Sequence, residues 1–65
     1  MITQSELKAL RIKHDLTQGQ AAALVYTTER EWSRFENGDL SSSRARNNYK
    51  ARTELFEFRV KELAK

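Results

Sequence analysis

The chain has 65 residues, of which 38% are hydrophobic and 32% are charged, and its formal net charge is +3. This composition is ordinary for one small soluble domain and argues against global disorder, while the absence of cysteine excludes disulfides, thiolate catalysis and cysteine-ligated zinc. No apolar run is long enough to cross a membrane, and we expect no signal peptide after Met1, which predicts a cytoplasmic protein.

The first helix is predicted from about residue 4, because the sequence from Thr3 to Glu6 has the pattern of a capping box. Three residues share one face of this helix at helical spacing: Leu7, Leu10 and His14. Asp15 is expected to follow in a turn or left-handed conformation, which aspartate tolerates. His14 is the only histidine, and we interpret it as a helix-end residue rather than a catalytic base.

Two short helices are predicted next, at about 18–25 and 29–36, with a tight turn between them. Threonine hydroxyls are the expected N-caps of both, and Gly38 is expected to end the second in a left-handed conformation. The candidate caps are Thr17, with Gln20 as its capping-box partner, and Thr27 or Thr28. The inward-facing residues are expected to be Ala21, Ala22, Val25, Trp32 and Phe35. Helices this short must pack crosswise on neighbours, which is typical of a helix-turn-helix.

The C-terminal part is predicted to be a helical region at about 43–63, capped by Ser42 or Ser43 and preceded by a loop that tucks Leu40 into the core. Its apolar residues form two roughly opposite stripes: Ala45, Tyr49, Phe56, Val60 and Leu63 on one, and Ala51, Leu55 and Phe58 on the other. A monomeric surface helix needs only one stripe, so the second predicts a contact with helix 1 or with a second subunit. Residues 56–61 alternate strictly, which is a strand signal, but the flanking helix formers favour a helix.

The central part of the chain carries a specific motif. Leu16-Thr17-Gln18 is followed at fixed spacing by Ala22, Thr28, Trp32, Phe35, Glu36 and Gly38. This order resembles the Cro and lambda-repressor family of helix-turn-helix proteins, without a gap, over about residues 3–40. The resemblance implies an all-α fold, a single compact domain of four to five helices spanning residues 1–65.

The sequence departs from the family pattern at three positions. Tyr26 stands where the family usually has a glycine in the turn, a position that often needs a positive φ. Thr27 replaces an apolar turn residue, and Trp32 replaces a smaller β-branched one. These departures bear on the geometry of the turn rather than on the fold.

The resemblance also implies DNA contacts. Five residues match the base-contacting positions of the recognition helix: Thr28, Glu29, Arg30, Ser33 and Arg34. Seven match the region that contacts phosphates: Gln18, Asn37, Ser41, Ser42, Ser43, Arg44 and Arg46. Arginine can fork onto guanine, and Glu29 is expected to accept from cytosine or to orient Arg30 or Arg34, whereas Glu31 is expected nearer helix 2.

A run of basic residues supports the phosphate assignments. Between Ser41 and Thr53 there are four basic residues and no acid: Arg44, Arg46, Lys50 and Arg52. In an arbitrary chain such a run is more often a solvated face. Here it directly follows a predicted recognition helix, where phosphate contacts continue, which favours binding.

These features predict a sequence-specific double-stranded DNA-binding transcriptional regulator. The expected form is a dimeric (auto)repressor of phage or mobile-element type that blocks RNA polymerase at a palindromic operator, with Ala51, Leu55 and Phe58 at the homodimer interface. The alternative is an antitoxin-like or accessory module that binds a protein partner as well as DNA. The scattered acids form no metal-ligand spacing, and a chain of this length leaves no room for a ligand-sensing domain. We therefore expect no enzyme activity, no cofactor, no metal and no small-molecule ligand.

Overall fold

The computed structural model describes residues 2–63, and these residues form four helices and no strand. The helices are α1 (Gln4–Lys13), α2 (Gln18–Leu24), α3 (Glu29–Asn37) and α4 (Ser43–Leu63). The prediction of an all-α fold is confirmed. The strand alternative for residues 56–61 is wrong, because this segment lies inside α4 and three of its core contacts depend on helical spacing.

Side-chain hydroxyls fix the start of every helix. Thr3 accepts from the backbone N–H of Glu6 at 3.2 Å, and the Glu6 carboxylate accepts from the Thr3 N–H at 3.2 Å. Thr17 and Gln20 form the same reciprocal pair at 3.1 and 2.9 Å, so both predicted capping boxes are confirmed. The remaining caps are Thr28, on the Glu31 N–H at 3.1 Å, and Ser42, on the Ala45 N–H at 3.0 Å. These bonds satisfy N–H groups that have no partner within their own helix.

Three turns use left-handed backbone conformations. Asp15 has a φ of 57°, as expected, and Gly38 ends α3 with a φ of 78°. Tyr26, between α2 and α3, has a φ of 59°, so a bulky side chain adopts the conformation for which glycine is best suited. Its ring is 70% exposed and lies below the Arg59 guanidinium, 5.6 Å from it.

The core lies where α3 meets α1, α2 and α4. Its buried apolar residues are Leu7, Ala21, Ala22, Val25, Trp32, Phe35, Tyr49, Phe56 and Val60. Edge-to-face aromatic pairs connect α3 to α4, with ring centroids 4.7 Å apart for Trp32 and Phe56 and 5.6 Å apart for Phe35 and Tyr49. Leu40 packs against this cluster, as expected. The inward sides of α2 and α3 are therefore fixed, and their outward sides are held at the surface.

The two predicted stripes of α4 are only partly correct. Leu63 is 54% exposed rather than inward, because the last turn of α4 extends past the core. Leu55 does not stand on a free patch, because it is half-buried and packs against the core cluster. Ala51 and Phe58 remain exposed, and no contact with α1 covers them, which leaves Phe58 63% accessible.

Candidate nucleic-acid interface

The outward side of α3 presents most of the predicted base-contacting residues. Thr28, Glu29, Arg30 and Arg34 are exposed, and Ser33 is half-buried. Arg30 and Arg34 are four positions apart, one helical turn, and lie opposite the buried side chains of Trp32 and Phe35. The side of α3 that does not enter the core is therefore polar and carries two cations.

Glu31 lies on the α4 side of the recognition helix. Its carboxylate is 3.6 Å from Nη1 of Arg34 and accepts from the Asn48 side-chain amide at 3.4 Å. The expectation that Glu31 lies nearer α2 is wrong, because the three-residue spacing of Thr28, Glu31 and Arg34 places them along the edge that faces α4. Arg34 is thus oriented by Glu31.

Glu29 lies on the other edge, against the first turn of α2. A Cβ atom placed on Gly19 would be only 2.9 Å from Oε2 of Glu29. Within residues 2–63 Glu29 forms no ion pair with Arg30 or Arg34, so the expectation that it orients one of them is wrong. The alternative, that Glu29 accepts from a base, stays a prediction.

Glu36 is the centre of a buried polar cluster that sequence reasoning missed. Its carboxylate accepts from Nε and Nη2 of Arg11 at 2.6 and 3.2 Å, from the Gln18 amide at 3.2 Å and from the Trp32 indole N–H. Burial raises the pKa of Glu36, but the hydrogen bonds from Arg11, Trp32 and Gln18 and the charge of Arg11 outweigh it, so the pKa lies below its usual range. Arg11 also donates to the Leu16 carbonyl at 2.8 Å.

This cluster orients one of the predicted phosphate contacts. Gln18 is the first residue of α2, and the bond from its amide nitrogen to Glu36 holds it at the junction of α2 and α3. A sequence signal for the cluster existed: Glu36 follows Trp32 by four residues, so it shares the inward side of α3 and needs a cationic partner. The sequence did not reveal that this partner is Arg11.

A polar groove of about 960 Å³ runs between α3 and the start of α4. Four of the predicted DNA contacts line it, together with five other residues. The lining residues are Thr27, Thr28, Glu31, Arg34, Ser42, Arg44, Ala45, Asn47 and Asn48. Two arginines face one glutamate, and that glutamate is already paired, so the groove favours an anionic occupant.

The other predicted phosphate contacts surround this groove or lie on α3. Arg46 donates to the Leu40 carbonyl and to the Ser43 hydroxyl, both at 3.3 Å, and so holds the loop before α4. Asn37 donates to Ser33 at 3.4 Å on the surface of α3. Ser41 and Ser43 are exposed, like Ser42 and Arg44.

The basic run does not act as one surface. Arg52 donates to the Val25 carbonyl at 3.1 Å and to Asn48 at 3.3 Å, so it ties α4 to the end of α2. Arg44 and Lys50 are exposed and have no ion pair within residues 2–63. The cations available to an external anion are therefore fewer than the sequence suggested.

Comparison of the chain with protein-family models, with curated proteins and with solved structures finds no match. Among residues 2–63, none of the helices combines the length and the apolar character needed to cross a membrane. The same residues contain no group of three or more His, Asp or Glu side chains placed to hold a metal ion.

Proposed function

We propose that this protein is a sequence-specific double-stranded DNA-binding regulator of the Cro and lambda-repressor type. The proposal is supported chiefly by the outward side of α3, where Arg30 and Arg34 stand opposite a helix face that is fully buried. A helix anchored in this way, preceded by a short helix and a tight turn, can enter the major groove with its N-terminal residues first.

The side chains on this surface match the chemistry of base edges. The guanidinium groups of Arg30 and Arg34 can each donate two hydrogen bonds to O6 and N7 of a guanine. Glu29 can accept from cytosine N4, and Thr28 and Ser33 can contact either kind of base. Glu29 now lies against α2, so reading a base requires its carboxylate to turn away from Gly19.

Phosphate contacts on both sides of α3 would fix its register in the groove. Gln18 lies at the start of α2 on one side, and Arg44, Arg46 and the serines at 41–43 lie on the other, with Asn37 between them. Such contacts position the protein and supply affinity but carry no sequence information. The acidic carboxylate of Glu36 does not oppose them, because Arg11 neutralises it.

The regulator we propose is a cytoplasmic homodimer that occupies a palindromic operator and blocks RNA polymerase. A single small module reads only half a site, and pairing across a dyad places two recognition helices about 34 Å apart, one turn of DNA. The exposed Phe58 and the neighbouring Ala51 are the proposed subunit contact. The same exposed pair favours a second candidate, an antitoxin-like or accessory module that binds a protein partner there as well as DNA.

The decisive experiment is selection of bound duplexes from a random pool. The wild-type protein should enrich a palindrome, and Arg30→Ala and Arg34→Ala should each relax one base pair per half-site and lose about 1–3 kcal/mol of binding free energy. Lys61→Ala, an exposed cation in the last turn of α4, is the matched control and should select the same sequence. No enrichment with the wild type would contradict the proposal, and full discrimination by an Arg30→Ala, Arg34→Ala protein would contradict the base-reading roles.

A further inference from the structure

A continuous chain of polar contacts joins the end of α2 to an arginine of the recognition helix. The Val25 carbonyl accepts from Nη1 of Arg52 at 3.1 Å, and Nε of Arg52 donates to Oδ1 of Asn48 at 3.3 Å. The amide nitrogen of Asn48 donates to Oε1 of Glu31 at 3.4 Å, and Oε2 of Glu31 is 3.6 Å from Nη1 of Arg34. The chain crosses from α2 through α4 to the outward side of α3.

We propose that Asn48 and Glu31 are specificity-determining positioning residues, which hold the Arg34 guanidinium at the groove between α3 and α4 before DNA binds. This inference rests on the proposed DNA-binding function. It adds two residues that do not themselves have to contact a base, one of them on a helix other than the recognition helix.

Orientation matters for an arginine because its long side chain has many rotamers. A free arginine gives up this freedom when it docks on a base, whereas a side chain already held in place loses less and tolerates fewer geometries. Arg34 has such a support, but Arg30 has no hydrogen bond or ion pair from its side chain within residues 2–63. The two arginines should therefore differ, with Arg34 more selective for its base pair.

Asparagine suits this position in α4 because its amide can accept and donate at the same time. Asn48 accepts from the guanidinium of Arg52, which is anchored on a backbone carbonyl, and donates to the carboxylate of Glu31. The Glu31 side chain is 27% exposed and that of Arg34 is 47% exposed. The acid is thus sheltered against α4, while the cation that it orients remains open to a ligand.

The test measures base discrimination rather than affinity alone. Binding by fluorescence anisotropy would be compared for the selected operator and for duplexes changed at the base pair that Arg34→Ala relaxes. Asn48→Ala should reduce discrimination at that base pair by about two- to tenfold, the effect of one hydrogen bond, and leave the other base pairs unchanged. In an Arg34→Ala background, Asn48→Ala should have no further effect on discrimination.

Two variants control for other effects. Asn47→Ala removes a neighbouring amide that lines the same groove but has no hydrogen bond within the described residues, so discrimination should stay at the wild-type level. Glu31→Gln removes a negative charge near the DNA, so total affinity should rise while discrimination at the Arg34 base pair falls. Circular dichroism should show wild-type helicity for each variant.

The positioning role would be refuted if Asn48→Ala and Glu31→Gln discriminated like the wild type, or if Asn48→Ala acted equally with and without Arg34. It would also be refuted if Asn48→Ala weakened binding to all duplexes by the same factor. A wild-type protein that bound no duplex selectively would refute the proposed function as well, so the two failures are distinguishable.

Discussion

The guanidinium of Arg11 and the carboxylate of Glu36 meet at 2.6 Å, with only 13% and 3% of their side chains exposed. The pair joins α1 to the last turn of α3, and both residues have further partners: Arg11 donates to the Leu16 carbonyl, and Glu36 accepts from Gln18 and Trp32. One carboxylate therefore fixes α1, the start of α2 and α3 relative to one another.

Removal of one partner of this pair should strongly destabilise the domain. Arg11→Met or Glu36→Gln leaves a buried charge unpaired, which typically costs about 3–5 kcal/mol, a large part of the roughly 3–10 kcal/mol expected for a chain of this length. The measurement is the free energy of unfolding from urea titrations followed by circular dichroism. Lys13→Met, an exposed cation in the same helix, should change it by less than about 0.5 kcal/mol. Equal stability of Arg11→Met and wild type would show that the pair is dispensable.

The same pair should make the domain sensitive to acid. The pKa of Glu36 is lower in the folded than in the unfolded state, so its contribution is fully present above the usual glutamate pKa of about 4.3 and is lost as the pH falls through the lower, folded-state pKa. Thermal unfolding followed between neutral pH and about pH 3 should show a steep loss of Tm below about pH 4.5.

The matched variant for the acid experiment replaces both charges. An Arg11→Met, Glu36→Met protein should be more stable than either single variant, because no charge is left buried without a partner. Its Tm should fall less steeply in acid. The remaining slope includes Glu6, whose pKa is lowered by its hydrogen bonds with Thr3. An unchanged acid profile in the double variant would exclude Glu36 as the main acid-sensitive group.

The two glycines should respond to alanine in opposite directions. Gly38 has a φ of 78°, so Gly38→Ala should cost about 1–2 kcal/mol of stability through backbone strain. Gly19 is inside α2 without a positive φ, and Gly19→Ala should raise stability by up to about 1 kcal/mol. Its new Cβ would meet only the far end of the exposed Glu29 side chain, which can turn away. Destabilisation by both changes in urea titrations would contradict this assignment.

The phosphate-contact role of Arg44 should appear in the salt dependence of DNA binding. Arg44→Ala should weaken binding to specific and non-specific duplexes alike, and should flatten the plot of log affinity against log salt by roughly one unit per subunit. Lys61→Ala, at the far end of α4, should leave the slope unchanged. A loss of affinity confined to one sequence, with the slope intact, would make Arg44 a base reader instead.

The oligomeric state tests the surface around Phe58. Because this ring is 63% exposed, Phe58→Glu should leave helicity and Tm close to wild type, yet sedimentation should show a monomer and operator affinity should drop steeply. Leu63→Glu, at a residue that is 54% exposed one turn later, is the matched control and should remain dimeric. A wild-type chain that is monomeric both alone and on a palindromic duplex would contradict the dimer.

Local signals explain what the sequence predicted well. The cap hydroxyls of Thr3 and Thr17 act on N–H groups three residues away, and the inward positions of Trp32 and Phe35 follow from helical spacing alone. Both kinds of information are contained in a short window of sequence. The helical wheel likewise placed Phe56 in the core.

Long-range partners explain what the sequence did not predict. Arg11 and Glu36 are 25 residues apart, and Arg52 meets the Val25 carbonyl across 27 residues. A helical wheel gives the direction of a side chain but not where the neighbouring helix ends, which is why Leu63 was expected inside and is exposed. The same limitation applied to Glu31, whose partner Asn48 lies on α4.

The position of Trp32 makes the protein its own optical reporter. It is the only tryptophan, it is fully buried between Phe35 and Phe56, and its indole N–H donates to Glu36. Its emission therefore depends on the packing of α3 against α4 and on the charge of one carboxylate. Binding of DNA on the opposite side of α3 should leave the emission maximum almost unchanged, whereas unfolding should shift it to the red.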